Sequence, residues 1–264
     1  MNSANIPLSL YVHWPWCVQK CPYCDFNSHK SNNDLVVAYT EALLQDWRRQ
    51  YMAMGEGRKI GSIFFGGGTP SLANPKVIAD IIDDVGRIAG LDNQVEITLE
   101  ANPGTVDLAH FSGYASAGVN RLSLGVQSFD DGLLKKIGRI HDRAQVMTAI
   151  EVASRVGFNR LNLDLMTGLP SQNVTQVISD IETAISIAPE HLSLYQLTVE
   201  PNTPFFARPP VDLPDEDFAD DLQLIVHERA RAAGYQQYEV SAWAKSLNSC
   251  SRHNLNNWHF GDNL

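Results

Sequence analysis

Three of the four cysteines lie within eight residues near the start of the chain, at Cys17, Cys21 and Cys24, whereas Cys250 is far away in sequence. Clustered thiolates are soft ligands that suit iron–sulfur clusters or zinc. Three thiolates on one loop leave one iron of a four-iron cluster without a protein ligand. Such an open iron can bind a substrate or a cofactor directly, so the spacing Cys-x3-Cys-x2-Cys predicts a reactive metal site.

A structural zinc site is the alternative for the same loop, with His13 or His29 as the fourth ligand. Zinc sites usually combine two ligand pairs that lie far apart in sequence. This loop supplies three cysteines and no second pair. The spacing therefore favours an iron–sulfur cluster and leaves zinc as the second interpretation.

Polar residues also follow the predicted strands that come after this loop. A glycine-rich run, Gly66 to Ser71, ends the second strand, and Glu100 ends the third. Gln127 and Asp164 interrupt the otherwise apolar fourth and fifth strands. Each of these alone is compatible with a turn, a helix cap or a side chain satisfied within the fold. Because parallel strands end at one edge of a sheet, polar groups on three successive strands indicate a shared ligand there.

Six short apolar runs are predicted strands, and five amphipathic stretches between them are predicted helices. The strands are Leu8 to Trp14, Ile60 to Phe65, Val95 to Leu99, Arg121 to Val126, Leu161 to Met166 and Leu192 to Leu197. The helices are Asp34 to Met52, Pro75 to Ala89, Val106 to Ala117, Arg143 to Val156 and Val174 to Ile187. Strand–helix alternation implies a parallel sheet with right-handed crossovers. Six units favour an α/β fold with a partial (β/α)6 TIM-like barrel, and a doubly wound sheet is the alternative.

The composition changes after this core, which we predict to span residues 1–200. Five prolines fall within fourteen residues, from Pro201 to Pro214, and predict a linker. A helix from about Asp215 to Ala233 and a strand from Tyr235 to Val240 are predicted next. Residues 201–264 are thus predicted to be a linker, a helix and the start of a small C-terminal α+β region.

The 264 residues have the composition of a globular protein, with 44% hydrophobic and 19% charged residues. The net charge of −10 argues against sequence-independent binding of nucleic acid, which needs a cationic surface. No apolar run approaches the length of a membrane span. Met1 to Asn5 lack the charged and apolar regions of a signal peptide, so we expect a cytoplasmic protein with reduced thiols.

From about Leu10 to its end, the chain resembles the radical S-adenosylmethionine (SAM) superfamily in its cysteine loop and its Gly-Gly-Gly-Thr-Pro run. Within that superfamily, Tyr11 to Cys17 and Ser123 to Phe129 are similar to signatures of the oxygen-independent coproporphyrinogen III oxidase group. The resemblance implies a [4Fe–4S] cluster on the three cysteines, with SAM bound to the fourth iron. It also implies that SAM contacts ten residues, namely Tyr11, Tyr23, Gly67, Gly68, Thr69, Glu100, Gln127, Arg139, Asp164 and Thr198.

Two features distinguish the chain from the oxidases of that group. Phe26 stands where the oxidases carry a further loop cysteine, and only a few residues precede the first predicted strand. Both features resemble the heme chaperones of the same group. The run His253 to Trp258 is also similar to a motif of those chaperones, although Asn257 replaces their tyrosine. The resemblance implies heme as a further ligand, with His253 as the candidate that binds its iron.

The favoured interpretation is a heme chaperone that binds a [4Fe–4S] cluster, SAM and heme and delivers heme to hemoproteins, such as respiratory proteins. Peripheral contact with a membrane is compatible with that role. A coproporphyrinogen III oxidase and a zinc-stapled α/β domain are the alternatives, and the resemblance leaves enzymatic activity open. Because the family continues beyond Leu264 into a C-terminal domain, we expect the chain to be truncated.

Overall fold

The computed structural model describes residues 6–55, 57–158 and 160–264, so the prediction that Met1 to Asn5 are not a signal peptide lies outside the described residues. The strands are β1 (Leu8–Trp14), β2 (Trp16–Cys17), β3 (His29–Lys30), β4 (Ile60–Gly67), β5 (Leu91–Ala101), β6 (Arg121–Gln127), β7 (Arg160–Thr167), β8 (His191–Gln196), β9 (Gln236–Gln237), β10 (Ala242–Ala244) and β11 (Asp262–Asn263). The helices are α1 (Asn33–Met54), α2 (Pro75–Ile88), α3 (Leu108–Ala117), α4 (Asp131–Lys136), α5 (Arg143–Val156), α6 (Val174–Ile187), α7 (Pro204–Ala207), α8 (Glu216–Ala232) and α9 (Arg252–Trp258).

The main sheet has the strand order β11-β1-β4-β5-β6-β7-β8-β10-β9. Its six central strands, from β1 to β8, are parallel and follow one another in chain order. At least one helix connects each of these strands to the next. Sequential order without a reversal confirms the predicted partial (β/α)6 barrel. A doubly wound sheet reverses its strand order at a switch point, so that alternative is wrong.

Alternation of side chains along β6, β7 and β8 gives the sheet one apolar and one polar face. Leu124, Leu163 and Leu194 are buried in the hydrophobic core beneath the helices. Their neighbours on the opposite face are polar, and Ser123 Oγ donates a hydrogen bond to Asp164 Oδ2 at 3.3 Å. Successive strand residues point to opposite faces, so the apolar positions anchor the sheet while the polar positions line the inside of the barrel.

The helices begin at the residues where the sequence supplies caps. Asp142 and Gln145 form a capping box at the start of α5, and Gly157 ends this helix with a φ of 92°. Asn173 and Gln176 form the same arrangement at the start of α6. Side-chain oxygens at these positions satisfy backbone N–H groups that have no partner within the helix. Both helices have the predicted bounds.

The residues after 200 add strands to both edges of the sheet. β10 pairs with β8 in antiparallel fashion, and β11 pairs with β1 in parallel. The strand predicted over Tyr235 to Val240 is wrong, except at Gln236–Gln237, because the chain turns where Tyr238 N donates to Ala242 O. The division at residue 200 stays a prediction. No helix in the described ranges combines the length and apolar character needed to cross a membrane.

Candidate functional site

A cavity of about 400 Å³ lies at the C-terminal ends of the parallel strands. The loop between β2 and β3 forms one wall, and the ends of β4 to β8 form the others. Twelve of the residues predicted to bind the cluster or SAM line this cavity: Cys17, Cys21, Tyr23, Cys24, Gly67, Gly68, Thr69, Glu100, Gln127, Arg139, Asp164 and Thr198. The fold therefore brings the cysteine loop and the polar strand ends to one place.

The cysteine loop begins on β2, which pairs with β3 in a short parallel ribbon. Cys17 is buried, and Cys21 and Cys24 are half-buried. A turn joins the latter two, because Cys24 N donates to Cys21 O at 3.1 Å. Burial raises the pKa of the Cys24 thiol. A bound metal favours the thiolate and would oppose this effect.

The imidazoles that a zinc site would need have other partners. His13 Nε2 lies 2.8 Å from Asn27 O, and His29 Nε2 lies 3.1 Å from Asn27 Oδ1. In the part of the chain that the structure describes, no three Cys, His, Asp or Glu side chains converge on the position of one metal ion. Thiolates of a four-iron cluster each bind a different iron and need no such convergence. The three cysteines therefore fit a [4Fe–4S] cluster better than a zinc ion.

The glycine-rich loop after β4 packs directly against the start of the cysteine loop. Gly67 has a φ of 109°, which residues with a Cβ atom rarely adopt. A Cβ on Gly68 would lie 2.7 Å from Trp16 O, so the two backbones touch. Thr69 N donates to Trp16 O at 2.8 Å. These contacts explain why glycine is needed at positions 67 and 68. They also fix Gly67, Gly68 and Thr69 in the wall of the cavity beside Cys17.

Two partly exposed carboxyl groups, Glu100 and Asp164, form the acidic side of the cavity. Burial raises the pKa of Glu100 to about 8, and the nearby charge of Asp164 contributes to this shift. Burial also raises the pKa of Asp164, although hydrogen bonds from Ser193 and Asn162 oppose the shift. Within the described ranges, neither carboxyl group forms an ion pair with Lys or Arg. Because the charge of Arg121 offsets the effect of burial only in part, a ligand that carries positive charge would favour the ionised form of both groups.

Residues at the end of β6 and after α4 form another wall of the cavity. Gln127 Oε1 accepts a hydrogen bond from Tyr195 OH at 2.5 Å. Arg139 Nη2 donates to Gly125 O at 2.7 Å, while its Nη1 lies 3.7 Å from Cys21 Sγ. Arg139 thereby links the cysteine loop to the strand end. Among the residues that the structure describes, its buried Nε has no hydrogen-bond partner, which leaves a donor near the cavity for a ligand.

Two of the predicted residues lie outside the cavity lining. Tyr11 is 40% exposed, and its ring stacks on Phe64 with the centroids 6.1 Å apart. His253, on α9, is buried, with its ring centroid 5.0 Å from that of Phe64. Its Nδ1 lies 3.4 Å from Ser62 Oγ. The structure therefore separates the proposed heme ligand from the cavity that the cysteines line.

Sequence reasoning missed Tyr195, which lines the cavity from β8 and holds Gln127. The sequence carries a signal for it, because β8 alternates polar residues with Leu192 and Leu194, which places the polar side chains on one face of the sheet. Met166 also lines the cavity, and no local motif distinguishes it. Asn102, two residues after Glu100, lines the cavity as well.

Comparison with known proteins agrees with this arrangement. Residues 11–184 match the family model described as the Radical SAM superfamily. The chain is 49% identical over 262 residues to the heme chaperone HemW of Haemophilus influenzae, covering 98% of this chain and 68% of that protein. It is 50% identical over 257 residues to the heme chaperone HemW of Escherichia coli, covering 97% of this chain and 67% of that protein. The chain belongs to the HemW family of the radical SAM superfamily.

The HemW assignment confirms the resemblance based on the cysteine loop and on Phe26. Among solved structures, coproporphyrinogen III oxidase from Escherichia coli, described as a radical SAM enzyme, aligns with a TM-score of 0.82 at 25% identity. The alignment covers 92% of this chain and 57% of the oxidase, and it confirms the barrel as one of the radical SAM type. Membership of the superfamily implies a [4Fe–4S] cluster and SAM as cofactors. This chain spans about two thirds of the length of the two bacterial HemW relatives.

Proposed function

We propose that Cys17, Cys21 and Cys24 hold a [4Fe–4S] cluster and that SAM binds in the adjoining cavity. The observation that carries this proposal is the presence of three thiols and two carboxyl groups with raised pKa values in the wall of one cavity. When bound, the cluster supplies a redox-active iron that is open to SAM. The sulfonium and ammonium groups of SAM are cationic, so Glu100 and Asp164 would stabilise and orient them.

Anaerobic reconstitution with iron and sulfide tests the cluster. We expect about four irons per chain and a brown protein. Cys21→Ala should lose most of the iron and the colour, whereas Cys250→Ala should keep both, because Cys250 lies outside the cavity. A colourless protein with one zinc per chain would contradict the proposal and favour the zinc-stapled domain.

We further propose that the protein is a heme chaperone, as the names of its HemW relatives indicate for those proteins. About half of the residues are identical to those relatives over nearly the whole chain, and this supports the proposal. The proposed recipients are heme-containing proteins of respiration. The function then consists of binding heme and transferring it, while the cluster and SAM occupy the cavity.

His253 is the proposed heme ligand, and its burial sets a condition on how heme binds. Burial lowers the pKa of His253 to about 4, so the imidazole is neutral and able to bind iron. Its contacts with Phe64 and Ser62 mean that α9 must move before heme can reach it. Heme titration should show weaker binding for His253→Ala and unchanged binding for His259→Ala, which alters an exposed histidine directly after α9. Equal binding by both variants and the wild type would exclude His253.

Oxygen-independent coproporphyrinogen III oxidase is the second candidate, favoured by the similarity to the Escherichia coli oxidase. Phe26 in the position of a further cysteine and the higher identity to HemW relatives favour the chaperone. Reconstituted protein given coproporphyrinogen III, a reductant and SAM should form no decarboxylated product. Product formation that is absent in Cys21→Ala would establish the oxidase instead.

A further inference from the structure

Gln127 reaches the cavity through an unusual backbone conformation. Its φ is 69°, in the left-handed region that residues other than glycine adopt rarely. The pairing of β6 with β7 also shifts register between Leu124 and Gln127. A strained conformation of this kind persists only where the surrounding structure fixes it, and such conformations cluster at functional sites.

Asp180, on α6, fixes the two residues that directly follow Gln127. Its Oδ2 accepts a hydrogen bond from Ser128 Oγ at 2.7 Å, and its Oδ1 accepts one from Phe129 N at 2.7 Å. Both carboxyl oxygens are therefore occupied by the segment after β6. Asp180 is buried and does not line the cavity, so any effect on a ligand there must act through this segment.

The charges around Asp180 come from the segment after β6 and from α5. Burial raises the pKa of Asp180 to about 6, and the carboxylate of Asp130 contributes to this shift. The hydrogen bonds from Ser128 and Phe129 and the charge of Arg143 act in the opposite direction. The Arg143 guanidinium lies over the Phe129 ring, 5.6 Å from its centroid. Asp180 is thus mostly ionised at pH 7.5 and gains a proton as the pH falls through about 6.

We infer that Asp180 is a positioning residue for the cavity, which keeps Gln127 in place through Ser128 and Phe129. In that position Gln127 meets Tyr195, and the preceding Gly125 O accepts from Arg139. Displacement of the end of β6 would therefore disturb the wall that joins β8 to the cysteine loop. This inference rests on the proposed SAM site.

The test is the dissociation constant of SAM, measured by calorimetry on anaerobically reconstituted protein. Asp180→Asn keeps the shape of the side chain but removes its charge and one acceptor, so SAM should bind about tenfold more weakly at pH 7.5. Glu182→Gln is the control, because it removes a half-exposed carboxylate two residues further along the same helix, and it should leave SAM affinity unchanged. At pH 5.5 the wild type and Asp180→Asn should differ less than at pH 7.5, since Asp180 is then mostly protonated in the wild type.

A second variant separates positioning from general stability. Glycine adopts a positive φ without strain, so Gln127→Gly removes both the side chain and the need for fixation. Asp180→Asn should then cause no further loss of SAM affinity in the Gln127→Gly background. If Asp180→Asn does not fold, Ser128→Ala removes one of the two hydrogen bonds and should weaken SAM binding about threefold.

Two results would overturn this inference and leave the proposed SAM site intact. The first is wild-type SAM affinity at pH 7.5 in folded Asp180→Asn, or in Ser128→Ala if Asp180→Asn does not fold. The second is an equal loss of SAM affinity on Asp180→Asn in the wild-type and Gln127→Gly backgrounds. Either would mean that Asp180 only supports the fold. Failure of the wild type itself to bind SAM at pH 7.5 would overturn the proposed SAM site together with this inference.

Discussion

Two glutamates on β5, the buried Glu96 and the partly exposed Glu100, lie four residues apart on the same face of the sheet, yet their surroundings differ. Arg160 Nη2 lies 3.0 Å from Glu96 Oε2, and Arg252 N donates to Glu96 Oε1 at 2.9 Å. Glu100 accepts a hydrogen bond from Gly67 N at 3.3 Å, and in the described ranges it has no ion pair. Among the described residues, the glutamate in the middle of the strand thus has an ion-pair partner, whereas the glutamate near its end has none.

This difference separates a glutamate that supports the fold from a glutamate that is available to a ligand. A buried charge costs free energy unless it is paired and hydrogen bonded. Glu96 has an ion pair with Arg160 through Oε2 and accepts hydrogen bonds through Oε1, where Ser251 Oγ also donates at 3.3 Å and helps to hold the start of α9 against the sheet. In the described ranges Glu100 has a hydrogen bond but no ion pair, and a cationic ligand would supply one.

The largest expected effect concerns stability. Glu96→Ala leaves the donors at the start of α9 without their acceptor and Arg160 without its ion-pair partner, so it should lower the free energy of unfolding by about 3 kcal/mol. Glu100→Gln removes a carboxyl group whose ionised form burial disfavours, so it should leave that free energy unchanged or raise it. Urea denaturation of the two variants and the wild type measures both effects. An equal loss in the two variants would break the distinction between the glutamates.

The next effect concerns SAM affinity. Glu100→Gln removes the carboxylate that would face the cationic ligand, and such losses cost about 1.5–3 kcal/mol, which is more than tenfold in affinity. Glu151→Gln, which removes an exposed carboxylate on α5, is the control and should bind SAM as the wild type does. Calorimetry on reconstituted protein gives both values, and wild-type affinity in Glu100→Gln would remove Glu100 from the site.

Proton release sharpens the same comparison. With a pKa of about 8, Glu100 is mostly protonated at pH 7, and a bound cation favours its ionised form. SAM binding at pH 7 should therefore release up to about one proton in the wild type and less in Glu100→Gln. Calorimetry in two buffers with different ionisation enthalpies counts these protons. Equal counts in the two proteins would show that Glu100 stays protonated when SAM binds.

The raised pKa of Glu100 also has a consequence for stability. Between its ordinary pKa of 4.5 and about 8, the unfolded chain loses the Glu100 proton while the folded chain keeps it. The contribution of Glu100 to the free energy of unfolding should therefore fall as pH rises through this range. Glu100→Gln should become more stable relative to the wild type between pH 5 and pH 8, as urea denaturation at several pH values would measure. A constant difference would contradict the raised pKa.

The smallest expected effect concerns Tyr195, which supports the cavity from β8. Tyr195→Phe removes the hydrogen bond to Gln127 Oε1 and keeps the ring. One hydrogen bond contributes about 1 kcal/mol, so SAM should bind about fivefold more weakly. A loss as large as that of Glu100→Gln would mean that the hydroxyl contacts SAM itself.

The parts of the fold that could be predicted from sequence are those with local signals. The bounds of α5 and α6 follow from their caps, and β1 follows from its apolar run. The edge strands β10 and β11 could not be predicted, because two or three residues carry no period and their pairing depends on distant strands. The same reason explains why local patterns identify Glu100 but give no sign that Glu96 meets Arg160 and α9.

The electron paramagnetic resonance spectrum of the reduced cluster, recorded with and without SAM, tests the central claim most directly. That claim is that three thiols and the carboxyl groups of Glu100 and Asp164 place SAM against an open iron. The account predicts that SAM changes the spectrum of the wild type and that Glu100→Gln needs more than tenfold higher SAM for the same change. A protein that contains about four irons, but whose spectrum does not respond to SAM, would contradict it.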